Sequence, residues 1–219
     1  MVQALSLARQ RGEKGGQRTA TQILSEVLVA SKLSRADEAL ATELVYSTLR
    51  RQFTLDWIIG NFSGVAVKRI EPPLLDIVRL GVLQLVYMRS VPEYAAVDES
   101  VKLALAVLGK KAAGFANSVL RKVATRASSI PFPERDEGII EHISVVHSHP
   151  RWLVRRWIVR FGEETTTAIC TANNVPPPIT ARVNILKIIV LAGPFALAMA
   201  FAANDLVNVT GPPADGGRE

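Results

Sequence analysis

Residues 112–122 read Ala112-Ala113-Gly114-Phe115-Ala116-Asn117-Ser118-Val119-Leu120-Arg121-Lys122. Phe115, Val119, Leu120 and the following Val123 recur at helical spacing, which predicts an amphipathic helix. Asn117 and Arg121 stand one turn apart and share a face. Asparagine is a poor helix former. Its amide is worth having there if it bonds backbone groups of a neighbouring helix or reaches a ligand. Arg121 is placed to meet a phosphate, which supplies affinity without sequence information. Gly109-Lys110-Lys111 reads as the turn that precedes this helix.

Working outward, helices continue on both sides. Thr19 onward shows Ile23, Leu24, Val27 and Leu28 at helical spacing, and Ser34 is a candidate N-cap for a second helix, with Glu38 near the capping-box position. That second helix runs through Leu40, Leu44 and Val45 to Arg51. A third covers Leu55 to Phe62 and ends near Gly64. Pro72-Pro73 open a long helix that is apolar on most faces and so belongs at the centre of a bundle. Arg79 is its interior charge and requires a partner. Gly81 in mid-helix costs stability relative to alanine, so close helix packing is the expected reason for it.

Pro92 breaks this helix and another runs from about Ala95 to Leu108, with Asp98 and Glu99 expected in its first turn, opposing the helix dipole. The loop Ser128-Ser-Ile-Pro-Phe-Pro133 is expected to separate the bundle from the helices after it. The first of these is predicted over Glu134–Ser148. Pro150 then starts one with Trp152, Leu153, Trp157, Ile158 and Phe161 along one face, and a further helix covers Glu163–Asn173. Pro176-Pro-Pro178 ends it, and Thr180–Asn184 reads as a short strand.

The chain has 219 residues, 48% hydrophobic, 21% charged and 6% aromatic. Few aromatics and short β-branched runs favour helices over a sandwich or barrel. The net charge is +6 and the isoelectric point about 9.8. The positive charge is clustered. No acid lies between Glu99 and Glu134, where Lys102, Lys110, Lys111, Arg121, Lys122 and Arg126 stand; none lies between Glu141 and Glu163, where Arg151, Arg155, Arg156 and Arg160 stand. Arg9, Arg11, Lys14 and Arg18 face only Glu13 in a glycine-broken N-terminal arm. Three such clusters point to a polyanion.

Residues 112–122, together with Arg79-Leu-Gly-Val-Leu-Gln-Leu85 and Ala95-Ala-Val-Asp-Glu-Ser-Val101, resemble the RNA-binding helical domain shared by the NusB antitermination factor and the N-terminal part of the Sun/Fmu (RsmB-type) ribosomal RNA cytosine-C5 methyltransferases. Glu43–Arg51 and Leu55-Asp-Trp57 resemble that domain's second and third helices, with Ser47 where the family usually has glycine. His149-Pro-Arg-Trp-Leu153, Ala172-Asn-Asn174 and Ala181-Arg-Val-Asn184 resemble the linker that leads to the methyltransferase domain. The resemblance implies an all-α, NusB-like bundle over 19–130, preceded by a basic arm over 1–18. A helical linker over 131–184 comes next, then a divergent apolar and Pro/Gly tail over 185–219. It implies RNA, chiefly ribosomal RNA, as partner; the single cysteine, Cys170, can form no disulfide within the chain, which suits a reducing cytoplasm. Arg9, Arg11, Arg18, Lys110, Lys111, Asn117, Arg121, Lys122, Arg151 and Arg155 are the expected RNA-binding residues.

The family's cofactor is S-adenosylmethionine, held by a glycine-rich loop, and its catalytic cysteines lie in the methyltransferase domain. Neither is expected here. Cys170 falls in the linker helix among small residues and is not expected to act as a nucleophile. Gly211-Pro-Pro-Ala-Asp-Gly-Gly217 is proline-broken. His142, His147 and His149 do not converge on one helix face, so a structural role is expected rather than a metal site. The change of composition after Asn184 suggests a truncated or frame-shifted product, inactive as a methyltransferase by itself.

Two other readings stand beside this one. A stand-alone antitermination-like factor would recruit a protein partner. A membrane-associated helical protein would use the uncharged run 188–204, which is short for a span and contains Pro194. A membrane span is not the favoured reading; the segment 185–204 is expected to associate with itself or a protein partner.

Overall fold

A computed structural model describes residues 19–88 and 90–175. Among them there are eight α-helices and no strand: α1 (Ala20–Ala30), α2 (Arg35–Arg50), α3 (Gln52–Ser63), α4 (Pro72–Tyr87), α5 (Glu93–Leu108), α6 (Lys110–Thr125), α7 (Ile139–Val146) and α8 (Arg151–Asn173). The basic arm, the expected strand at Thr180–Asn184 and the run 188–204 lie outside the described residues. No described helix is long and apolar enough to cross a membrane.

The all-α class follows from local signals. Thr19 caps α1 in a reciprocal capping box with Gln22. Ser34 caps α2, but its partner is Asp37, whose backbone NH it accepts, and not Glu38. Pro72 and Pro73 open α4, where a missing NH costs nothing. The fourth helix is central, as its apolar girth predicts. Every residue from Leu74 to Leu83 is buried, and it packs against α2, α3, α5 and α6.

Arg79 finds the partner that its burial demands. Its Nε and Nη2 donate to the two carboxylate oxygens of Asp56, each at 2.7 Å, and its Nη1 donates to Asp76 at 3.1 Å. A cation flanked by two carboxylates, with both ends of the guanidinium engaged, satisfies the geometric condition for a buried charge. Gly81 is also explained. A Cβ there would stand 2.7 Å from Leu120 Cδ2 and 2.8 Å from Ser100 Oγ, so α5 and α6 close directly onto α4.

Two boundaries differ from expectation. The fifth helix starts at Glu93 because Pro92 serves as its N-cap, so Asp98 and Glu99 fall in the second turn. There they pair with Lys102, at 2.7 and 3.1 Å, and do not oppose the dipole. The helix expected over Glu134–Ser148 is only α7, Ile139–Val146. The division of α8 is as expected: between Arg151 and Asn173, Gly162, with a φ of 79° and ψ of 171°, separates two helices where the sequence suggested two. In its first half Val154 is the buried residue; of those expected along one face, Leu153, Trp157 and Ile158 are half-buried, while Trp152 and Phe161 are exposed.

A large core joins α1 to α6. A small second core joins Ile143 of α7 to Val154 and Cys170 of α8. The loop between them does not stand off. Ile130 and Phe132 pack on the large core, and Trp57 Nε1 donates to the Pro131 carbonyl at 2.8 Å. The junction of α7 and α8 is tied to α3 in a further way. Arg51, at the N-terminus of α3, offers no side-chain cap. Ser148 supplies it: its Oγ accepts from Phe53 N at 3.0 Å and Thr54 N at 3.4 Å, while Thr54 Oγ1 donates to the Val145 carbonyl at 2.6 Å. Ser148 holds a φ of 56°, a strained value for a residue with a side chain.

Candidate nucleic-acid interface

Gly109 turns the chain from α5 into α6 in one residue, with φ 86° and ψ −173°. Lys110 and Lys111 therefore stand in the first turn of α6, not in the turn before it. Both are exposed at the positive end of the helix dipole, and no acid in that turn offsets them. Each such cation disfavours the helix by roughly 0.3–1 kcal/mol. Their placement is therefore not explained by helix stability.

Helical spacing sorts the expected residues of α6 onto two faces. Lys110, Gly114, Asn117 and Arg121 recur at three- and four-residue steps and share one face; Lys111, Ser118 and Lys122 share the next. On the first face, Arg121 Nε donates to Asn117 Oδ1 at 2.9 Å. The asparagine thus orients the guanidinium within α6 and does not use that oxygen to bridge to a neighbouring helix. Lys122 turns the other way. Its Nζ donates to the Phe62 carbonyl at 3.3 Å, satisfying a carbonyl at the C-terminal end of α3.

The first face borders an open groove of about 630 Å³ between α5 and α6. Gly114, Asn117 and Arg121 line one wall, Tyr94 and Asp98 the other. Tyr94 is 79% exposed, an unusual position for a large ring. Glu93 and Asp98 bring negative charge to the same groove. Asp98 is bound to Lys102, whose ammonium its hydrogen bond holds above the ordinary lysine range, helped by Glu99. Gly114 differs from Gly81: a Cβ there would meet nothing within 4 Å. Packing does not require this glycine, and in mid-helix it costs about 1 kcal/mol relative to alanine. Backbone left bare beside a groove suits close approach of a ligand. Tyr94 and Gly114 were not among the expected residues. An exposed tyrosine is invisible without the fold, whereas an unexcused mid-helix glycine was a readable signal.

The arginines of α8 behave differently from one another. Arg151 pairs with Glu141, while Arg155 and Arg156 are exposed without a carboxylate partner among the described residues. Arg160 lies 5.6 Å from the ring centre of Phe161. Arg9, Arg11 and Arg18 lie outside the described residues, so α6 and α8 are the elements that can be placed.

The histidines and the cysteine take structural roles. His142 Nδ1 bonds the Pro133 carbonyl at 2.7 Å, and His149 Nδ1 bonds the His147 carbonyl at 2.6 Å. Asn174 Nδ2 donates to that same carbonyl at 2.7 Å. Burial, then the neighbouring His142 and His149, hold the His147 imidazole below its ordinary range. Burial pushes the Cys170 thiol up, away from the thiolate a nucleophile needs. The described glycines sit at helix ends or within helices, and among the described residues none forms a glycine-rich turn from strand to helix.

The profile of the NusB family matches residues 1–125, more than half of the chain. The chain belongs to the NusB family. A second profile, described as a Methyltr_RsmF/B-like, ferredoxin-like domain, matches residues 149–192. Its described portion is α8, and the match continues past Asn184, where the sequence resemblance was expected to stop. The chain is 33% identical over 165 residues to a protein of Bacillus subtilis named "Probable ribosomal RNA small subunit methyltransferase B", covering 75% of this chain and 36% of that protein. It is 33% identical over 168 residues to the Synechocystis protein of the same name, with 75% and 36% covered. It is 31% identical over 167 residues to the ribosomal RNA small subunit methyltransferase B of Shigella flexneri, with 74% and 37% covered. The chain thus spans about a third of the length of the curated relatives it matches. A NusB bundle followed by the RsmF/B-like segment distinguishes it from a bundle standing alone.

Proposed function

We propose that this NusB-family chain is the RNA-docking part of a ribosomal RNA methyltransferase of the small-subunit type, acting in the cytoplasm. The observation that carries this reading is the face of α6 on which bare Gly114, Asn117 and Arg121 border the groove with Tyr94, while Lys110 stands one turn before Gly114 on the same face. Lysines set against a helix dipole and a glycine that packing does not require are costs to the fold that a bound phosphate backbone would offset. The groove supplies an arginine already oriented by Asn117 and a ring on which a base can stack.

Lys110, Lys111 and Arg121 neutralise phosphates, as do Arg155 and Arg156 of α8 and Arg9, Arg11 and Arg18 of the arm. Lys122 contributes less, since its ammonium is engaged at the end of α3. Methyl transfer from S-adenosylmethionine is assigned to whatever carries the catalytic half, because residues 19–175 offer neither its glycine loop nor a reactive thiol. The relatives' names supply the class of RNA; a stand-alone antitermination role has no second observation in its favour.

Competition binding tests the assignment. Transcribed fragments of small-subunit ribosomal RNA should displace a labelled RNA from the chain at lower concentration than random-sequence RNA of equal length. Equal displacement by both would reduce the function to non-specific polyanion binding.

A further inference from the structure

A second groove, of about 610 Å³, opens between α3 and the start of α8. Its volume lies within the roughly 300–1,000 Å³ of pockets that seat nucleotide-sized ligands. Phe53 and Trp57 line it from α3, Trp152 and His149 from the α7–α8 junction, and Ser144 from α7. In a chain only 6% aromatic, this is a concentration of rings. Trp152 is 66% exposed and Phe53 is exposed as well, so neither ring is held there by burial in a core. Trp57 is fixed by its bond to Pro131. Ser144 is 3% exposed, yet its hydroxyl has no hydrogen-bond partner among the described residues.

Charge favours an anionic chain. The two acids of the groove are both compensated: Asp56 by the two-pronged bond from Arg79, Glu141 by Arg151. One turn along α8 from Arg151 and Trp152 stand Arg155 and Arg156, exposed and with no carboxylate partner among the described residues. Exposed rings and guanidinium groups form the combination that seats unpaired nucleotides: faces for the base, cations for the flanking phosphates.

We propose that this groove is a stacking slot for an unpaired base of the bound RNA. Trp152 and Phe53 supply the ring faces, and Arg155 and Arg156 take the phosphates on either side. The slot rests on the RNA-docking reading and adds to it a second contact point, on the segment that leaves the NusB bundle. It implies that the strand held there is single-stranded.

The test uses the full chain with two probes: a short oligouridylate and an abasic ribose-phosphate chain of equal length and charge. Oligouridylate should bind about tenfold more tightly than the abasic chain, the ordinary worth of one stacked base, and should quench tryptophan emission. Trp152→Ala should abolish that preference while leaving the affinity for the abasic chain unchanged; Trp152→Phe should restore most of it. Trp152 is exposed, so its loss spares the fold. Equal affinity for both probes with unaltered emission would overturn the slot but leave the docking reading standing. Failure to bind either probe would overturn both. A preference for bases that survives Trp152→Ala intact would place the stacking elsewhere and sink the slot.

Discussion

Two glycines in neighbouring helices carry opposite meanings, and substitution separates them. At Gly81 a methyl would stand under 3 Å from Leu120 and Ser100, both buried. Gly81→Ala should destabilise the fold by roughly 1–3 kcal/mol, the usual cost of overpacking. At Gly114 a methyl meets open space. Gly114→Ala should raise stability by about 1 kcal/mol through helix propensity alone, and should weaken RNA binding. Urea melts of the two variants, read beside their RNA affinities, check both signs. A Gly114→Ala chain that is more stable and binds equally well would remove the functional reason offered for this residue. At the same scale, the need for an Arg79 partner was legible because a cation in an apolar helix must be compensated. That the partner is Asp56, with Asp76 on the other side, was not, since nothing local couples α3 to α4.

At the scale of elements, helix existence was readable and helix ends were read less well. Proline marked the beginnings of α4, α5 and α8 through its fixed φ and missing NH. The start of α5 was still placed two residues late, because Glu93 and Tyr94 carry no apolar periodicity to announce it. Along the first half of α8 the sequence gathers Trp152, Leu153, Trp157, Ile158 and Phe161 on one face, whereas full burial falls on the smaller Val154 and Trp152 stays exposed. The cap that Ser148 lends to α3 was invisible because donor and acceptor are nearly a hundred residues apart. Ser148→Ala should cost about 1 kcal/mol, as loss of an N-cap does. It should speed amide hydrogen exchange in α7 and the first turn of α3 while leaving α4 protected. Uniform acceleration across all helices would mean that the two cores do not loosen separately.

The same junction is sensitive to pH. His147 has its folded pKa held down by burial and by His142 and His149. Between that value and about 6.5, the ordinary imidazole value, the unfolded chain binds the proton more readily than the folded one. The stability gained from neutral His147 is therefore fully present above this range and is lost as pH falls through it. Tm should drop between pH 7 and pH 5, and His147→Gln should flatten the drop. An unchanged slope in that variant would move the effect to other groups.

For the whole molecule, the class of fold and the family were within reach of the sequence, because composition, periodicity and three separated motifs agree. The candidate interface was legible only in part. Charge runs named Lys110, Lys111, Arg121 and the α8 arginines, but only the fold shows that Lys122 bends to α3, that Asn117 serves Arg121, and that Tyr94 joins them. The matched length is about a third of the relatives' own. The central claim is thus electrostatic at root: this chain binds RNA through phosphate contacts made by α6. Its most direct test is the salt dependence of binding to a single-stranded RNA, for the parent chain and for Lys110→Gln/Lys111→Gln/Arg121→Gln. The account predicts a steep loss of affinity with salt in the parent, and a slope shallower by about 0.7 for each contact removed in the variant. Identical slopes and affinities for the two chains would contradict it.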